Sequence, residues 1–137
     1  MDKQKLINWE SIKPSTWKVF SPRESTRRAR IPNGWLVRYE YFGGEGKSAS
    51  AIVYVPDTDG EWNLEEQDGW KIVHHRRSPN DDNIIARLKV PGGWIVRDGY
   101  YVKSKHLSLD LVFVPDPDND WVKPGKEGND EFASKDQ

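Results

Sequence analysis

The sequence predicts an all-β protein: a tandem duplication of a four-stranded antiparallel unit, packed as a sandwich or small barrel with pseudo-twofold symmetry. Three observations lead to this fold class: an internal repeat, a hairpin signature in each copy, and strands whose two faces are both half apolar. The chain has 137 residues, enough for one domain or two very small ones. A unit of roughly 50–60 residues is marginal alone, so we expect the two units to share a core.

The internal repeat is clearest around Trp35 and Trp94, which lie 59 residues apart. The first stands in the stretch Ile-Pro-Asn-Gly-Trp-Leu-Val-Arg and the second in Val-Pro-Gly-Gly-Trp-Ile-Val-Arg. The same offset holds without a gap as far as Trp62 and Trp121, and twelve of the 33 aligned pairs are identical. Self-similarity at a fixed offset indicates a duplicated structural unit.

The duplication divides the chain into four segments. They are a flexible start at residues 1–8, repeat unit one at residues 9–61, repeat unit two at residues 62–121, and a disordered acidic tail at residues 122–137. Trp9, Trp62 and Trp121 stand at the ends of the units, and we interpret them as equivalent packing residues.

Each copy carries a two-residue loop that predicts a β-hairpin. Asn33-Gly34 and Gly92-Gly93 tolerate positive φ at both positions, as a type I′ turn requires. In the resulting register Pro32 faces Trp35, and residues that face each other share one side of the sheet.

This register assigns the side chains of each hairpin to two faces. One, which we call the Leu/Ile face, carries Ala29, Ile31, Leu36 and Arg38 in unit one and Leu88, Val90, Ile95 and Arg97 in unit two. The other, the Trp face, carries Arg28, Arg30, Trp35, Val37, Tyr39 and Tyr41 in unit one and Arg87, Lys89, Trp94, Val96 and Tyr100 in unit two. Because both faces are half apolar, we expect a sandwich or a closed barrel rather than one sheet with a solvated side.

Apolar and alternating runs predict four strands in each unit. They are Trp17–Phe20, Arg27–Pro32, Trp35–Phe42 and Ser50–Pro56 in unit one, and Trp70–Val73, Ile84–Pro91, Trp94–Val102 and Leu107–Pro115 in unit two. Unit two has six extra residues, which fall within 74–83. We interpret that stretch as a loop, either a functional addition or a tolerated surface insertion.

Composition excludes several classes of protein. The absence of Cys excludes disulfides and thiol chemistry and fits a reducing cytoplasm. With no signal peptide and no apolar run near about 18 residues, we expect a soluble, cytoplasmic protein with no membrane partner. The sequence has no nucleophile motif, no phosphate-binding glycine loop and no distinctive carboxylate pair, so we expect neither catalysis nor a cofactor.

Segregated charge points to a binding role. Residues 13–47 hold eight Lys or Arg against three acids, although the net charge of the chain is −1. Cations beside aromatic rings are typical of sites for anionic ligands and single-stranded nucleic acid. The leading hypothesis is therefore a non-enzymatic binding module for a nucleotide-like anionic small molecule or single-stranded nucleic acid. The candidate ligand-binding residues are Arg28, Arg30, Arg38, Trp35, His74, His75, Arg76, Arg77, Arg87, Lys89, Trp94 and Arg97.

Three other interpretations stay open. The aromatic residues can instead form the core, with the arginine stems passing them to reach solvent. The chain can be a protein–protein interaction or inhibitor protein that acts through strand edges and exposed aromatics, with a homodimer as one form. A hydrolase whose site the sequence does not reveal is a weaker rival.

Metal sites have little support in the sequence. The alternating carboxylates of 57–61 and 116–120 resemble the start of a calcium-binding EF-hand loop, but a Pro-Asp turn explains both stretches as well. His74 and His75 are adjacent in a predicted strand, so they point to opposite faces and do not chelate one ion.

Overall fold

The computed structural model describes residues 7–12, 23–43, 48–102 and 106–121. Within these residues eight strands form two separate four-stranded antiparallel sheets, in a sandwich-like arrangement that does not close into a barrel. Sheet 1 has the order β1 (Glu10–Ile12), β2 (Glu24–Ile31), β3 (Gly34–Phe42), β4 (Ser48–Pro56), and sheet 2 the order β5 (Lys71–Arg77), β6 (Asp81–Val90), β7 (Gly93–Val102), β8 (His106–Pro115). A 3₁₀ turn, Leu64–Glu66, lies between the sheets in sequence. The all-β prediction with four antiparallel strands per unit is confirmed.

The first strand of sheet 1 begins earlier than the sequence predicted. Glu10 of β1 and Lys71 of β5 lie opposite equivalent arginines of the neighbouring strands, so β1 and β5 occupy equivalent places. Trp9 therefore matches Trp70 in the repeat. The predicted strand at residues 17–20 lies outside the described residues, as do most of the predicted flexible start and all of the predicted tail.

The hairpin turns differ from the predicted type. Ile31 pairs with Gly34, so the two turn residues are Pro32 and Asn33. The φ angle is 65° at Asn33 and 78° at its counterpart Gly92. Proline fixes φ near −65° and excludes a type I′ turn, whereas proline followed by a residue with positive φ is the pattern of a type II turn. The predicted register was wrong by two residues, a shift that leaves every side chain on its predicted face.

The extra residues of unit two extend a hairpin rather than forming the predicted loop. β5 continues to Arg77, and Arg77 pairs with Asp82 near the start of β6. The Ser78 backbone N–H donates to the Asp81 carbonyl at 2.9 Å, and the Ser78 hydroxyl donates to the Asp81 carboxylate at 2.7 Å. The side-chain and backbone bonds of Ser78 close the turn, so the segment pairs as strand where its polar composition had indicated a loop.

The two sheets pack front to back. Sheet 1 turns its Trp face inward, with Val37 and Tyr39 fully buried, and sheet 2 turns its Leu/Ile face inward, with Leu88 and Ile95 fully buried. A twofold axis between facing sheets would bring the same face of each unit inward. The burial pattern therefore does not follow the expected pseudo-twofold relation, and each unit uses the face that the other leaves outside.

Arg97 lies at the centre of the contact between the sheets. It is 0% exposed, and its Nη1 lies 3.4 Å from Glu24 Oε1 on β2. The guanidinium is 4.3 Å from the ring centroid of Tyr39 and 4.6 Å from that of Trp70. Trp70 also donates through its indole N–H to the Thr26 hydroxyl at 3.0 Å. Arg97 was a candidate ligand residue, and the structure instead uses it to join the sheets.

Aromatic side chains extend this contact. The rings of Tyr41 and Tyr101 meet edge to face with centroids 5.5 Å apart. Burial raises the pKa of Tyr101 to about 12, and the nearby Arg97 charge opposes that rise only in part. Burial likewise raises the pKa of Tyr39. Both hydroxyls therefore stay protonated near neutral pH.

Replacing Arg97 with Met tests the role of the buried pair. Arg97→Met leaves the Glu24 carboxylate buried without the arginine, so we expect the free energy of unfolding to fall by about 3–5 kcal/mol. Adding Glu24→Gln removes the buried carboxylate charge while keeping an acceptor for Tyr39, and should restore a substantial part of the loss. Urea unfolding of both variants measures this, and a double variant no more stable than the single one would contradict it.

Candidate functional site

Four of the predicted ligand residues form two structural clusters, which we call the Arg–Trp clamps. In the first, the Arg28 guanidinium lies 3.9 Å from the ring centroid of Trp35 and 5.0 Å from that of Trp62. Its Nη1 donates to the Trp62 carbonyl at 2.7 Å. Arg87, Trp94 and Trp121 form the second clamp in the same way, with centroid distances of 4.0 and 4.6 Å and a hydrogen bond from Arg87 to the Trp121 carbonyl.

Each clamp is completed by one aspartate. Asp57 accepts hydrogen bonds from the Trp35 indole at 2.8 Å, the Trp62 backbone N–H at 3.0 Å and the Glu61 backbone N–H at 3.1 Å. In the second clamp Asp116 accepts from the equivalent groups, at 2.8 Å, 3.0 Å and 2.8 Å respectively. Each carboxylate therefore fixes the tryptophan that follows the last strand of its sheet.

These hydrogen bonds shift the acidity of both aspartates. Burial alone would raise the pKa of Asp57, but the bonds from Trp35 and from two backbone N–H groups outweigh it and lower the pKa. The backbone bond from Trp121 and the indole bond from Trp94 lower the pKa of Asp116. Both carboxylates are therefore held in the charged form.

The first aspartate of each acidic turn is engaged in its clamp. Both oxygens of Asp57 and of Asp116 already accept hydrogen bonds from protein N–H groups. Across the described ranges no group of three or more His, Asp or Glu side chains is placed to hold a metal ion. The geometry supports the Pro-Asp turn over the calcium interpretation.

Two further candidate cations contact backbone carbonyls of their own repeat units. Arg30 donates to the carbonyls of Asp57 at 2.7 Å and Thr58 at 3.0 Å. Lys89 lies 3.4 Å from the Gly93 carbonyl and 4.9 Å from the Trp94 ring centroid. Both cations therefore donate to backbone carbonyls within the fold.

The remaining candidate residues lie on two different sheets. The Arg38 guanidinium lies 5.2 Å from the Trp9 ring centroid, on the outward face of sheet 1. The other four, His74, His75, Arg76 and Arg77, lie along β5 at the edge of sheet 2. His74 and His75 pair with successive residues of β6 and so point to opposite faces, and Arg76 lies 3.4 Å from Asp81. The structure does not bring the twelve candidates together on one surface.

A cleft of about 260 Å³ opens where the connection between the sheets meets β6. Glu61, Glu66 and Asp68 line it together with one cation, Lys89. An acidic lining of this kind does not suit an anionic ligand, because like charges would meet there without compensation.

The outward faces of the two sheets carry exposed apolar side chains, which sequence reasoning missed. On sheet 1 these are Phe42 at 49%, Ile52 at 50% and Tyr54 at 43%, and on sheet 2 they are Tyr100 at 36% and Val112 at 54%. Apart from Ile7, they are the exposed large apolar residues of the described part of the chain. The sequence indicated them only through the half-apolar character of both strand faces. Because a sandwich of two sheets covers one face of each sheet, the apolar residues of the other face stay exposed.

No protein-family model, curated protein or solved structure was found to match this chain. The part of the chain that the structure describes holds no helix with the length and hydropathy needed to cross a membrane.

Replacing Asp116 with Asn tests the clamp and its charge. The amide NH₂ of Asn cannot accept an N–H donor, so Asp116→Asn should lower the free energy of unfolding at neutral pH. A lowered folded pKa means that the carboxylate stabilises the fold fully above the ordinary Asp value of about 3.9 and loses that effect as pH falls through the folded value. The difference in stability between wild type and variant should therefore shrink as the pH is lowered from about 7 to about 3.

Urea unfolding at a series of pH values measures this difference. Asp118→Asn is the matched control, because it removes the same charge from the same turn and leaves the three N–H contacts of the clamp in place. A difference for Asp116→Asn that does not change with pH would show that the charge of this carboxylate does not stabilise the clamp.

Proposed function

We propose that the protein is a non-enzymatic protein-binding module that contacts its partner through the outward Leu/Ile face of sheet 1. The observation that carries this proposal is the group of exposed apolar side chains on β3 and β4: Phe42, Ile52 and Tyr54. Ile52 and Tyr54 follow each other on one face of β4, opposite Arg38 and Leu36 of β3. Exposed apolar groups that cluster on one face are typical of interaction sites.

The repeat supports the same proposal. The counterparts of Phe42, Ile52 and Tyr54 in unit two are Tyr101, Leu111 and Phe113, and all three pack against the shared core. A surface of the same pattern therefore already binds a β-sheet inside this protein. The outward face of sheet 1 keeps the residue types of that docking surface without a sheet covering Ile52 or Tyr54.

Binding of an anionic ligand stays a prediction that the geometry supports less well. Stacking of bases needs exposed aromatic faces beside free cations. Trp35 and Trp94 are buried in the clamps, and Arg28, Arg87 and Arg97 are buried with them or between the sheets. The candidate cations that remain at the surface are divided between the two sheets, with Arg30 and Arg38 on sheet 1 and Arg76 and Arg77 on β5 of sheet 2.

An Ile52→Asp variant tests the proposed binding face. We expect wild-type protein, immobilised and exposed to a lysate of the organism that encodes it, to retain a defined protein that the variant retains roughly tenfold less. A charge placed in an apolar contact loses its hydration without a partner, which accounts for the expected loss. Quantitative mass spectrometry of the retained proteins measures it.

The control is Thr58→Asp, which adds the same charge at an exposed turn away from this face. It should retain the protein as the wild type does, and thermal unfolding should show that all three forms are folded. Retention through an apolar face should also persist between about 0.1 M and about 0.5 M salt, whereas binding to an anion weakens steeply. Equal retention by wild type and Ile52→Asp, or retention lost on adding salt, would refute the proposal.

A further inference from the structure

We infer that the partner is a second copy of this chain, bound head to tail. The outward Trp face of sheet 2 in one molecule docks on the outward Leu/Ile face of sheet 1 in the next. This inference rests on the proposed function, because it uses the same face of sheet 1. It names the occupant of that face and assigns the complementary surface.

A contact of this kind is already present within the chain. The Trp face of sheet 1 packs on the Leu/Ile face of sheet 2, as the contacts of Tyr39 and Tyr41 with Arg97 and Tyr101 show. Because the packing is front to back, the molecule is left with one outward face of each kind. A contact between unlike faces does not close on itself, so the same contact can recur between molecules.

The apolar residues of the two outward faces match under the repeat. Tyr41 and Tyr101, whose rings meet at 5.5 Å, correspond to Tyr100 and Phe42. Tyr100 and Phe42 are both exposed, one on each outward face. The repeated contact would therefore place an aromatic ring of one molecule against an aromatic ring of the next, with the edge-to-face geometry that such pairs prefer.

Val53 and Val112 show the same relation with an identical residue. Val53 packs against the shared core from the Trp face of sheet 1. Val112 occupies the equivalent position on the Trp face of sheet 2 and is 54% exposed. Docking of a second molecule would cover Val112 as sheet 2 covers Val53.

The charges of the two outward faces are complementary at the centre of the contact. Within the chain, Arg97 meets a carboxylate, Glu24, which accepts a hydrogen bond from the Tyr39 hydroxyl at 2.9 Å. At the equivalent place on the Trp face of sheet 2 the roles are exchanged: Asp98 supplies the carboxylate and accepts from the Asn83 amide at 2.8 Å.

The counterpart of Arg97 is Arg38, on the outward face of sheet 1. One carboxylate and one arginine thus recur at matching places on the two outward faces. The repeated contact would bring Arg38 of one molecule to Asp98 of the next.

Polar replacements make the contact between molecules weaker than the one within the chain. Ala86 and Gly99 on the inward face of sheet 2 correspond to Arg27 and Glu40 on the outward face of sheet 1. Arg27 and Glu40 form a salt bridge of 2.7 Å. Partly solvated polar groups reduce the apolar area that docking removes from water. The association is therefore reversible and depends on concentration.

Charge reversal at the two matched positions tests the inference. Sedimentation velocity of the wild type between about 10 μM and about 1 mM should show a mean mass that rises continuously and does not stop at a dimer. Arg38→Asp and Asp98→Arg should each weaken association roughly tenfold or more, because each places like charges together. The double variant Arg38→Asp/Asp98→Arg exchanges the two charges and should recover most of the association.

Asp98→Arg is the discriminating variant, since Asp98 is exposed and lies on the sheet opposite to the proposed binding face of sheet 1. A symmetric dimer through sheet 1 alone would be unaffected by it, and that result would overturn the inference. Unfolding curves for each variant confirm that it is folded.

A wild type that stays monomeric up to about 1 mM would also overturn it. In that case, a different protein that the wild type retains from the lysate and the Ile52→Asp variant does not would still support the protein-binding proposal. If neither self-association nor face-dependent retention occurs, both proposals fail.

Discussion

The contact of Arg97 with Glu24 between the sheets is the constraint on which the arrangement depends. A guanidinium at 0% exposure is tolerated only with a charged partner and suitable neighbours, and here Glu24 and the rings of Tyr39 and Trp70 supply them. Because Glu24 lies on the Trp face of β2 and Arg97 on the Leu/Ile face of β7, satisfying the pair decides which face of each sheet points inward. The front-to-back packing follows from that requirement.

Because the sheets pack front to back, the same face of the repeat is buried in one unit and exposed in the other. Each unit has a Trp face and a Leu/Ile face, but within one chain only one face of each unit is covered by the other sheet. The clamps then keep the tryptophans occupied on both Trp faces, so Trp94 is buried even on the outward side. What stays exposed is the apolar part of each outward face away from the clamp.

The sequence was sufficient to predict the duplication, the strands of the hairpins and the two faces of each strand, because all three depend on local spacing. The predicted turn type was wrong because Pro32 belongs to the turn and not to the strand. The fixed φ of proline places it at the first turn position. The choice of inward face could not be predicted, because it depends on a contact between Glu24 and Arg97 that lie 73 residues apart. The burial of the candidate residues could not be predicted for the same reason: an arginine beside a tryptophan gives the same sequence pattern whether the pair is exposed or, as in Arg28 and Trp35, closed into a clamp.

The sheet order has a consequence for how the chain folds. Strands adjacent in sequence are adjacent in each sheet, so the described ladders join neighbouring segments and have low contact order. Each clamp spans 34 residues of the chain, and the docking of the sheets joins more distant parts of it. During synthesis the first sheet is complete before β7 with Arg97 leaves the ribosome. In that interval Val37 and Tyr39 lack the sheet that covers them in the folded chain, and Glu24 lacks Arg97. A first unit in this state is exposed to aggregation until sheet 2 is complete and docks on it.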